Sequence, residues 1–578
     1  MPQTPNVFEE RSFPASESPC PPGALAVIPL GGLEEIGLNC TALCYGEDII
    51  VVDAGLMFPE ANLPGVDLVV PDFTFLRDNA ARVRGLVLTH GHEDHIGALA
   101  FLLQSIWPPV YGTGLTLALT RSRLEEYQIS VPKLNQVKPG DVARLGAFSV
   151  EFIRVNHSIL DGVALAVTTP AGVVVHTGDF KIDYGAPPDE RTDLHAFARY
   201  GERGVLALLS DSTNSDVPGH SSSEIEVGRT LTDIFQKAEG RVILACFASS
   251  LARIRQVALA ARGSGRKLLF DGRSMLATVE LGRGLGFLNV DEDDIVDIDQ
   301  AEALDDRRIA AVVTGSQGEP LSALARMAVG EHRHIDVVKG DTIIFSARVI
   351  PGNERAIANL INLFHNKGAI VVDNRYHPVH ASGHGHMEEL KLVMSLTRPR
   401  YLVPVHGEPQ HLAGMAALGR QVGLPEDRIK ILSNGSRLLF GRDGSCSLGD
   451  TVPTGRMLLD GNRLGQAGDP VIRRRLKLAD LGLVYVIMVL GRDDLAQLCP
   501  VKINIHGVLF ESDPDLSVEA ADVADRCHKN WLRGQDPGAP DLNALADGLK
   551  REVRSLFKQS IKSRPIIWPE IIVYPPGR

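Results

Sequence analysis

Residues 83–95 read VRGLVLTHGHEDH: an apolar run that stops at Thr89, then three histidines, a glutamate and an aspartate within six positions. The run has the length and composition of a buried strand. No other stretch constrains the fold as tightly, because ligand-type side chains crowd where that strand gives way to a loop. Strands that end this way suit sheets whose loops carry a functional site. His90 and His92, two apart on a loop, can converge on one cation. Asp94 and His95, two residues on, can turn toward a second. Neutral imidazole and carboxylate suit Zn2+ or Mn2+. On these residues alone, a surface histidine cluster without metal stays open as the alternative.

The same ending recurs. His157 closes "FSVEFIRVNH", Asp179 lies at the end of "VVVHTGDF", and His406 follows the apolar strand in "RYLVPVHGE". Each alone reads as a cap or a satisfied polar group. Together with H-x-H-x-D-H they describe a sheet edge ringed by ligands. Seven ligands exceed one tetrahedral site and fit two metals that share a carboxylate.

The rest of the chain sets the frame. At 578 residues it should hold three or four domains. From 24 to about 210 it is rich in short strands. Between about 220 and 375 strands and helices alternate, which implies a parallel sheet with helical crossovers. The first style then resumes, and from about 456 a further unit offers two long strands, two helices and a final strand. The predicted division is a flexible tail at 1–22, a first segment at 23–218, an insert at 219–375, a returning segment at 376–455, and a linker with a small α+β domain at 456–578.

Hydrophobic content of 44% with 22% charged residues excludes wholesale disorder. The N-terminal stretch has no apolar core and is not a secretory signal. The longest apolar run, "LGLVYVIMVLG" (481–491), is about half of a bilayer span, so no membrane is expected. Seven scattered cysteines without a CxxC pair suggest reduced thiols and a cytoplasmic home. Cys40 and Cys44 read as core filling. The net charge of −12 leaves room for a local basic groove but not for a general polyanion coat. The basic runs "IRRRLK" (472–477) and "KREVR" (550–554) read as solvated faces.

With "LGGLEEIGLNC", "THGHEDHIGAL", "HTGDFKID", "LLSDSTN", "TGSQGEP", "SGHGH" and "PVHGEPQHL" added, the chain resembles the metallo-β-lactamase superfamily. Within it, the β-CASP nucleases and the bacterial ribonuclease J family are the near match. The resemblance implies an α/β fold: a metallo-β-lactamase αββα sandwich interrupted by an inserted β-CASP α/β domain, plus a small α+β C-terminal domain. It assigns His90, His92 and His157 to one metal, Asp94, His95 and His406 to the other, and Asp179 to both. It makes His384, Asp211 and the ligand Asp94 the catalytic set. A structural cap on its Gly-rich turn is the other reading of His384.

Two divalent cations per subunit, Zn2+ or Mn2+, are implied, with a structural Ca2+ for which Asp460 offers a carboxylate. The implied activity is hydrolysis of RNA, 5′-to-3′ and internally, in RNA maturation and decay. A DNA-directed β-CASP nuclease and a catalytically silent RNA-binding scaffold are the alternatives. Glycine-permitted backbone approach and hydroxyl donors nominate Ser249, Ser250, His380, Ala381, Ser382, Gly383 and His384 for substrate phosphate, with 5′-monophosphorylated RNA preferred. The chain has "FASS" at 247–250 where the family often has "FASN", so an amide contact becomes a hydroxyl contact at Ser250. His386 is either a surface residue or a second phosphate contact. A homodimer is expected through the C-terminal unit, whose strands and helix "LADGLKREVRSLF" offer an apolar surface.

Overall fold

The computed structural model describes residues 20–60, 63–350, 352–461, 463–466, 470–508, 514–535 and 539–574. Most of the segment read as a tail, 1–19, lies outside them. The described residues form two compact units: Met1–Phe58 with Leu68–Leu459, and Pro59–Asp67 with Asp460–Arg578. The division falls at 459/460 rather than 455/456, because Arg456–Asp460 is a strand antiparallel to Leu68–Pro71 in the first unit.

Two sheets build the first unit. One has eight strands in the order Cys446–Leu448, Leu438–Phe440, Leu25–Gly31, Cys40–Tyr45, Asp48–Val52, Val83–Val87, Val110–Gly112 and Leu134–Gln136. The other has six: Tyr401–Val405, Ala207–Asp211, Gly172–His176, Val163–Thr169, Phe148–Arg154 and Val142–Leu145. Val27, Leu43, Ile50 and Val87 of the first sheet share a core with Phe152, Leu165, Val174 and Val403 of the second. Helices cover the outer faces. Leu99–Leu102 and Gly114–Glu126 pack on the first sheet, in a core that contains Cys40 and Cys44. Leu194–Arg203, Met387–Thr397 and Pro409–Gln421 pack on the second. This is the αββα sandwich. Its central strands, such as Leu25–Gly31, Cys40–Tyr45, Ala207–Asp211 and Tyr401–Val405, are buried throughout because both sides are covered, and each buried Leu, Val or Phe contributes roughly 1.5–3 kcal/mol.

Ala207–Asp211 pairs in parallel with Tyr401–Val405, residue for residue. Most of the chain between them, up to the helix Met387–Thr397 that packs back on this sheet, is therefore an excursion from the sandwich. It contains a five-stranded sheet, all parallel, in the order Lys267–Asp271, Ile309–Val313, Val242–Ala245, Thr342–Phe345, Ile370–Val372. The helix after Val242–Ala245, Leu251–Gly263, packs on one face, and the helix after Thr342–Phe345, Glu354–Asn366, on the other. The chain thus turns opposite ways from two adjacent strands. In open α/β sheets that point leaves a crevice at the carboxyl ends, where ligands bind. Residues 246–250 and 346–350 follow directly from those carboxyl ends.

In the second unit, Leu483–Gly491 runs parallel to Ile566–Tyr574 and antiparallel to Lys502–His506. Burial alternates along Leu483–Gly491, with Val484, Val486, Met488 and Leu490 fully covered. They meet Leu545, Leu549, Val553 and Phe557 of the helix Leu542–Ser560. That helix therefore spends its apolar stripe inside the unit, and the surface expected from "LADGLKREVRSLF" is not available. The basic runs are solvated as expected: Lys550 pairs with Asp547, and Arg473 and Arg474 are exposed. Asp460 faces the guanidinium of Arg475. It is in none of the groups of three or more His, Cys, Asp or Glu among the described residues whose ligand atoms converge.

Candidate metal centre

The H-x-H-x-D-H segment is half extended and half helical. His90 and His92 lie on the loop after Val83–Val87, so alternate side chains point the same way. His92 then precedes a single helical turn, Glu93–Ile96, which swings Asp94 and His95 to the other side. Gly55 permits this turn, since a Cβ there would lie 1.6 Å from the Asp94 carbonyl oxygen.

All seven strand-end residues converge. His90 Nε2 and His157 Nε2 lie 3.1 and 3.2 Å from His92 Nδ1. Tetrahedral bonds of about 2.0–2.1 Å to Zn2+ would separate ligand nitrogens by roughly 3.3–3.4 Å, so the three are spaced as a tripod. Asp94, His95, Asp179 and His406 form a second group, and Asp179, Asp211, His384 and His406 a third. Asp179 Oδ2 stands 3.7 Å from His90, 3.8 Å from His157 and 3.2 Å from His95, while its Oδ1 lies 2.8 Å from His406 Nδ1. Its two oxygens thus reach residues of both halves. His406 Nε2 is buried without a hydrogen-bond partner, 3.4 Å from Asp94 Oδ2. An orphaned nitrogen among carboxylates and imidazoles is what a cation would satisfy.

The two halves differ in charge. Burial holds His90 and His157 well below the ordinary imidazole range, and His92 at about 4. These nitrogens are neutral lone pairs at pH 7. Burial also presses on His95 and His406, but carboxylates outweigh it, Asp179 foremost, raising His406 to about 10. Burial disfavours the charged Asp179 carboxylate, yet His406, His95 and His384 together bring it well below the usual range. Both Asp53 and His406 adopt left-handed backbone, φ 59 and 53. Such strain in non-glycine residues costs on the order of 1–3 kcal/mol and gathers at functional sites.

Supporting residues fix the ring orientations. The buried Asp53 accepts from His95 Nδ1 at 2.8 Å and from the Thr89 amide and hydroxyl, both at 2.7 Å. Sequence reasoning did not single out Asp53, although "DIIVVDAG" ends an apolar strand in Asp as the strands before Asp179 and Asp211 do. Gly383 has a further part, inside the site. Its carbonyl accepts from His157 Nδ1 at 2.6 Å, leaving Nε2 to face the other imidazoles. A Cβ at 383 would lie 2.6 Å from the His157 ring, so only glycine allows this approach.

His384 Nδ1 lies 2.8 Å from Asp211 Oδ2 and 3.9 Å from Asp179 Oδ2, with the ring partly exposed. Asn214, also missed, donates from one amide to Ser382 Oγ at 2.8 Å and to the His384 carbonyl at 3.0 Å. Ser382 Oγ in turn accepts the His384 amide at 3.2 Å. Ala381 is buried in the core of the insert, so its side chain has no part in binding. His380 is held at about 3 by burial first, then by Arg253, Lys181 and Arg348. Ser249 and Ser250 precede the helix Leu251–Gly263, which Arg253 ties to Val379. The His386 amide donates to Glu389 Oε2 at 2.8 Å, a role at the start of its helix.

Four family descriptions cover this arrangement piece by piece. The metallo-beta-lactamase superfamily matches 35–220, the ribonuclease J beta-CASP domain 239–364, a Zn-dependent metallo-hydrolase RNA specificity domain 369–431, and the ribonuclease J C-terminal domain 470–573. Ribonuclease J of Mycobacterium tuberculosis is 40% identical over 557 residues, spanning 96% of this chain and 98% of its own. The chain belongs to the ribonuclease J family. Further members are ribonuclease J of Thermus thermophilus, 36% identical over 96% of each chain, and ribonuclease J2 of Bacillus subtilis, 34% identical over 94% of this chain and 98% of its own. A solved structure from Enterococcus faecalis, titled as a protein of unknown function, shares the fold with a TM-score of 0.52 at 16% identity, over 72% of this chain and all of that one. A family of metallo-hydrolases matches a site whose donor set suits divalent cations.

Proposed function

We propose that the chain hydrolyses RNA phosphodiester bonds in two modes, trimming from the 5′ end and cutting internally, in RNA maturation and decay. Metal-dependent RNA hydrolysis is the chemistry of the ribonuclease J type. The observation that carries the reading is Asp179, buried between a neutral imidazole tripod and an acidic set, with the His384–Asp211 pair beside it. In this reading His90, His92 and His157 hold one cation, Asp94, His95 and His406 the other, and Asp179 joins them. Zn2+ and Mn2+ both suit imidazole and carboxylate donors. When bound, such a pair of cations activates water and neutralises charge on the attacked phosphate.

His384 works beside them. Asp211 accepts from Nδ1 and so leaves Nε2 as the ring's other nitrogen; in the imidazolium form, whose charge Asp211 balances, Nε2–H gives its proton to the leaving 3′ oxygen and the ring is left neutral. The sandwich segments 23–218 and 376–455 supply this chemistry, and the insert 219–375 closes over the substrate. Ser249, Ser250 and the loop 380–384 hold the terminal phosphate of 5′-monophosphorylated RNA. Digestion of end-labelled RNA, with and without chelator and with monophosphate and triphosphate ends compared, tests both modes. Metal-independent cleavage, or none when Mn2+ is supplied, would end the reading.

Assembly belongs to the second unit. The sheet face away from its helices carries Tyr485, Ile487, Trp568, Ile572 and Tyr574. Trp568, Ile572 and Tyr574 are 46%, 43% and 58% exposed. A second copy covers this face in a homodimer. Trp568→Asp should halve the particle mass by light scattering, and an unchanged mass refutes the dimer face. No helix among the described residues is long and apolar enough to cross a membrane. All seven cysteines are free thiols, which supports a reducing, cytoplasmic home.

A further inference from the structure

Near the loop 380–384 the cations of the chain are matched by carboxylates, with one exception. Arg253 pairs with Glu224 at 2.7 Å, and Arg255 with both oxygens of Glu190 at 2.7 and 2.9 Å. The fully buried Lys181 lies between Asp183 and Glu224, at 3.7 and 3.8 Å. Arg348 is exposed, and among the described residues no carboxylate pairs with it. Its single side-chain hydrogen bond goes to a neutral partner: Nη1 donates to Asn214 Oδ1 at 2.5 Å.

Two features make this guanidinium a built one rather than a loose surface cation. First, its backbone is anchored. The buried Gln317 donates to the Arg348 carbonyl at 2.8 Å and accepts from the Ile350 amide at 2.9 Å, locking two loops of the crevice together. Second, its partner is the buried Asn214, whose amide nitrogen holds Ser382 Oγ and the His384 carbonyl. A guanidinium carries five donors in a fixed fork, and Asn214 takes one edge. The remainder is presented, already oriented and unneutralised, at the carboxyl ends of two adjacent strands where the crossovers diverge.

We propose that Arg348 clamps a backbone phosphate of the bound strand and, through Asn214, sets the position of the His384 loop. This rests on the reading of the site as an RNA hydrolase. Arg348 is a substrate contact and Asn214 a positioning residue. The arrangement suits a nucleic acid of more than one nucleotide, since the phosphate it grips is not the one being cut.

The test measures binding without cleavage. The probe is a 3′-fluorescein-labelled, 5′-monophosphorylated oligoadenylate, titrated with the full chain in EDTA at several salt concentrations. Arg348→Ala should weaken binding by about tenfold, and the slope of log affinity against log salt should shrink by about 0.7, the value of one lost phosphate contact on a single strand. Arg348→Lys should restore the slope. Arg348→Gln, which keeps a donor for Asn214 without the charge, should lose it as the alanine does and covers the case in which alanine fails to fold.

Asn214→Ala should leave the salt slope intact and lower kcat for RNA in Mn2+, separating grip from positioning. An unchanged affinity and slope in both Arg348→Ala and Arg348→Gln overturns the proposal, as does a wild-type chain that does not bind the probe. A wild-type chain that binds with this Arg348 dependence but leaves RNA intact in Mn2+ refutes the hydrolase reading and keeps the clamp.

Discussion

Two sheets of this molecule end in functional loops, and the loops carry opposite kinds of residue. The sandwich strands finish in Asp53, His90, His157, Asp179, Asp211 and His406, nearly all buried, charged or metal-ligating. The parallel sheet of the insert finishes in Ser249, Ser250, Ser346 and Arg348, which are hydroxyls and one guanidinium without a carboxylate partner among the described residues. Both follow the rule that the carboxyl ends of strands present ligands. Under the proposed function the difference is one of division of labour, with cations on the sandwich side and phosphates on the insert side. An RNA strand lying between them would have its scissile phosphate drawn to one side and its neighbours held by the other.

The sharpest way to break this division is to damage the sandwich side. Asp179→Asn removes a charge set between both halves, where His90, His95, His157 and His406 all lie within 3.8 Å of its oxygens. The variant should fold, bind RNA as the wild type does, and lose nearly all cleavage. Near-normal cleavage by the purified variant would remove Asp179 from the centre of the mechanism.

His384→Ala should cost less, about 10²–10⁴-fold in kcat, the range of a lost acid–base group. Both metals should remain by elemental analysis. A missing cation would make His384 a ligand, and its distance of 3.9 Å from Asp179 Oδ2 would need a different explanation. A smaller effect is expected at Asp53, which touches no substrate. Asp53→Asn weakens the bond that orients His95, so metal affinity should fall by about 10–100-fold, as for other outer-shell partners. Excess Mn2+ should recover most activity. Activity that metal cannot recover would show that Asp53 holds the fold rather than the ligand.

How much of this could be read in advance follows from sequence distance. The seven converging residues were legible because four crowd after one apolar run and three end runs of their own, and the layered fold was legible because the central runs are apolar. Asp53 carried the same local signal but stood outside the dense motif, so nothing in its neighbours marked it. Asn214 and Arg348 had no local signal. Their roles rest on contacts with His384 and Asn214 at separations of 170 and 134 residues. No periodicity records such pairings. Gly383 was read as a phosphate cradle because glycine permits close approach. It does, and one group that uses this approach is His157, against the Gly383 carbonyl. The helix Leu542–Ser560 shows the same limit, since an apolar stripe tells that something covers it and not what.

The smallest expected effect sharpens the other side of the comparison. If the insert only grips, a change there should alter which RNA is cut and leave the chemistry alone. Ser249 is half-buried at the start of the helix Leu251–Gly263, and among the described residues its hydroxyl has no hydrogen bond. That hydroxyl is free to donate to a terminal phosphate, a contact worth roughly 1.5–3 kcal/mol when the acceptor is charged. Ser249→Ala should therefore erode the preference for monophosphate over triphosphate ends by about ten- to a hundredfold, what that energy allows. Internal cleavage does not use a terminal phosphate, so it should hold near the wild-type rate. Equal loss of both activities would place Ser249 with the sandwich residues, among the chemistry, and the division between the two sheets would fail. No loss of either would mean that the 5′ end is read elsewhere on the insert, and the Arg348 side of the crevice would be the next place to cut.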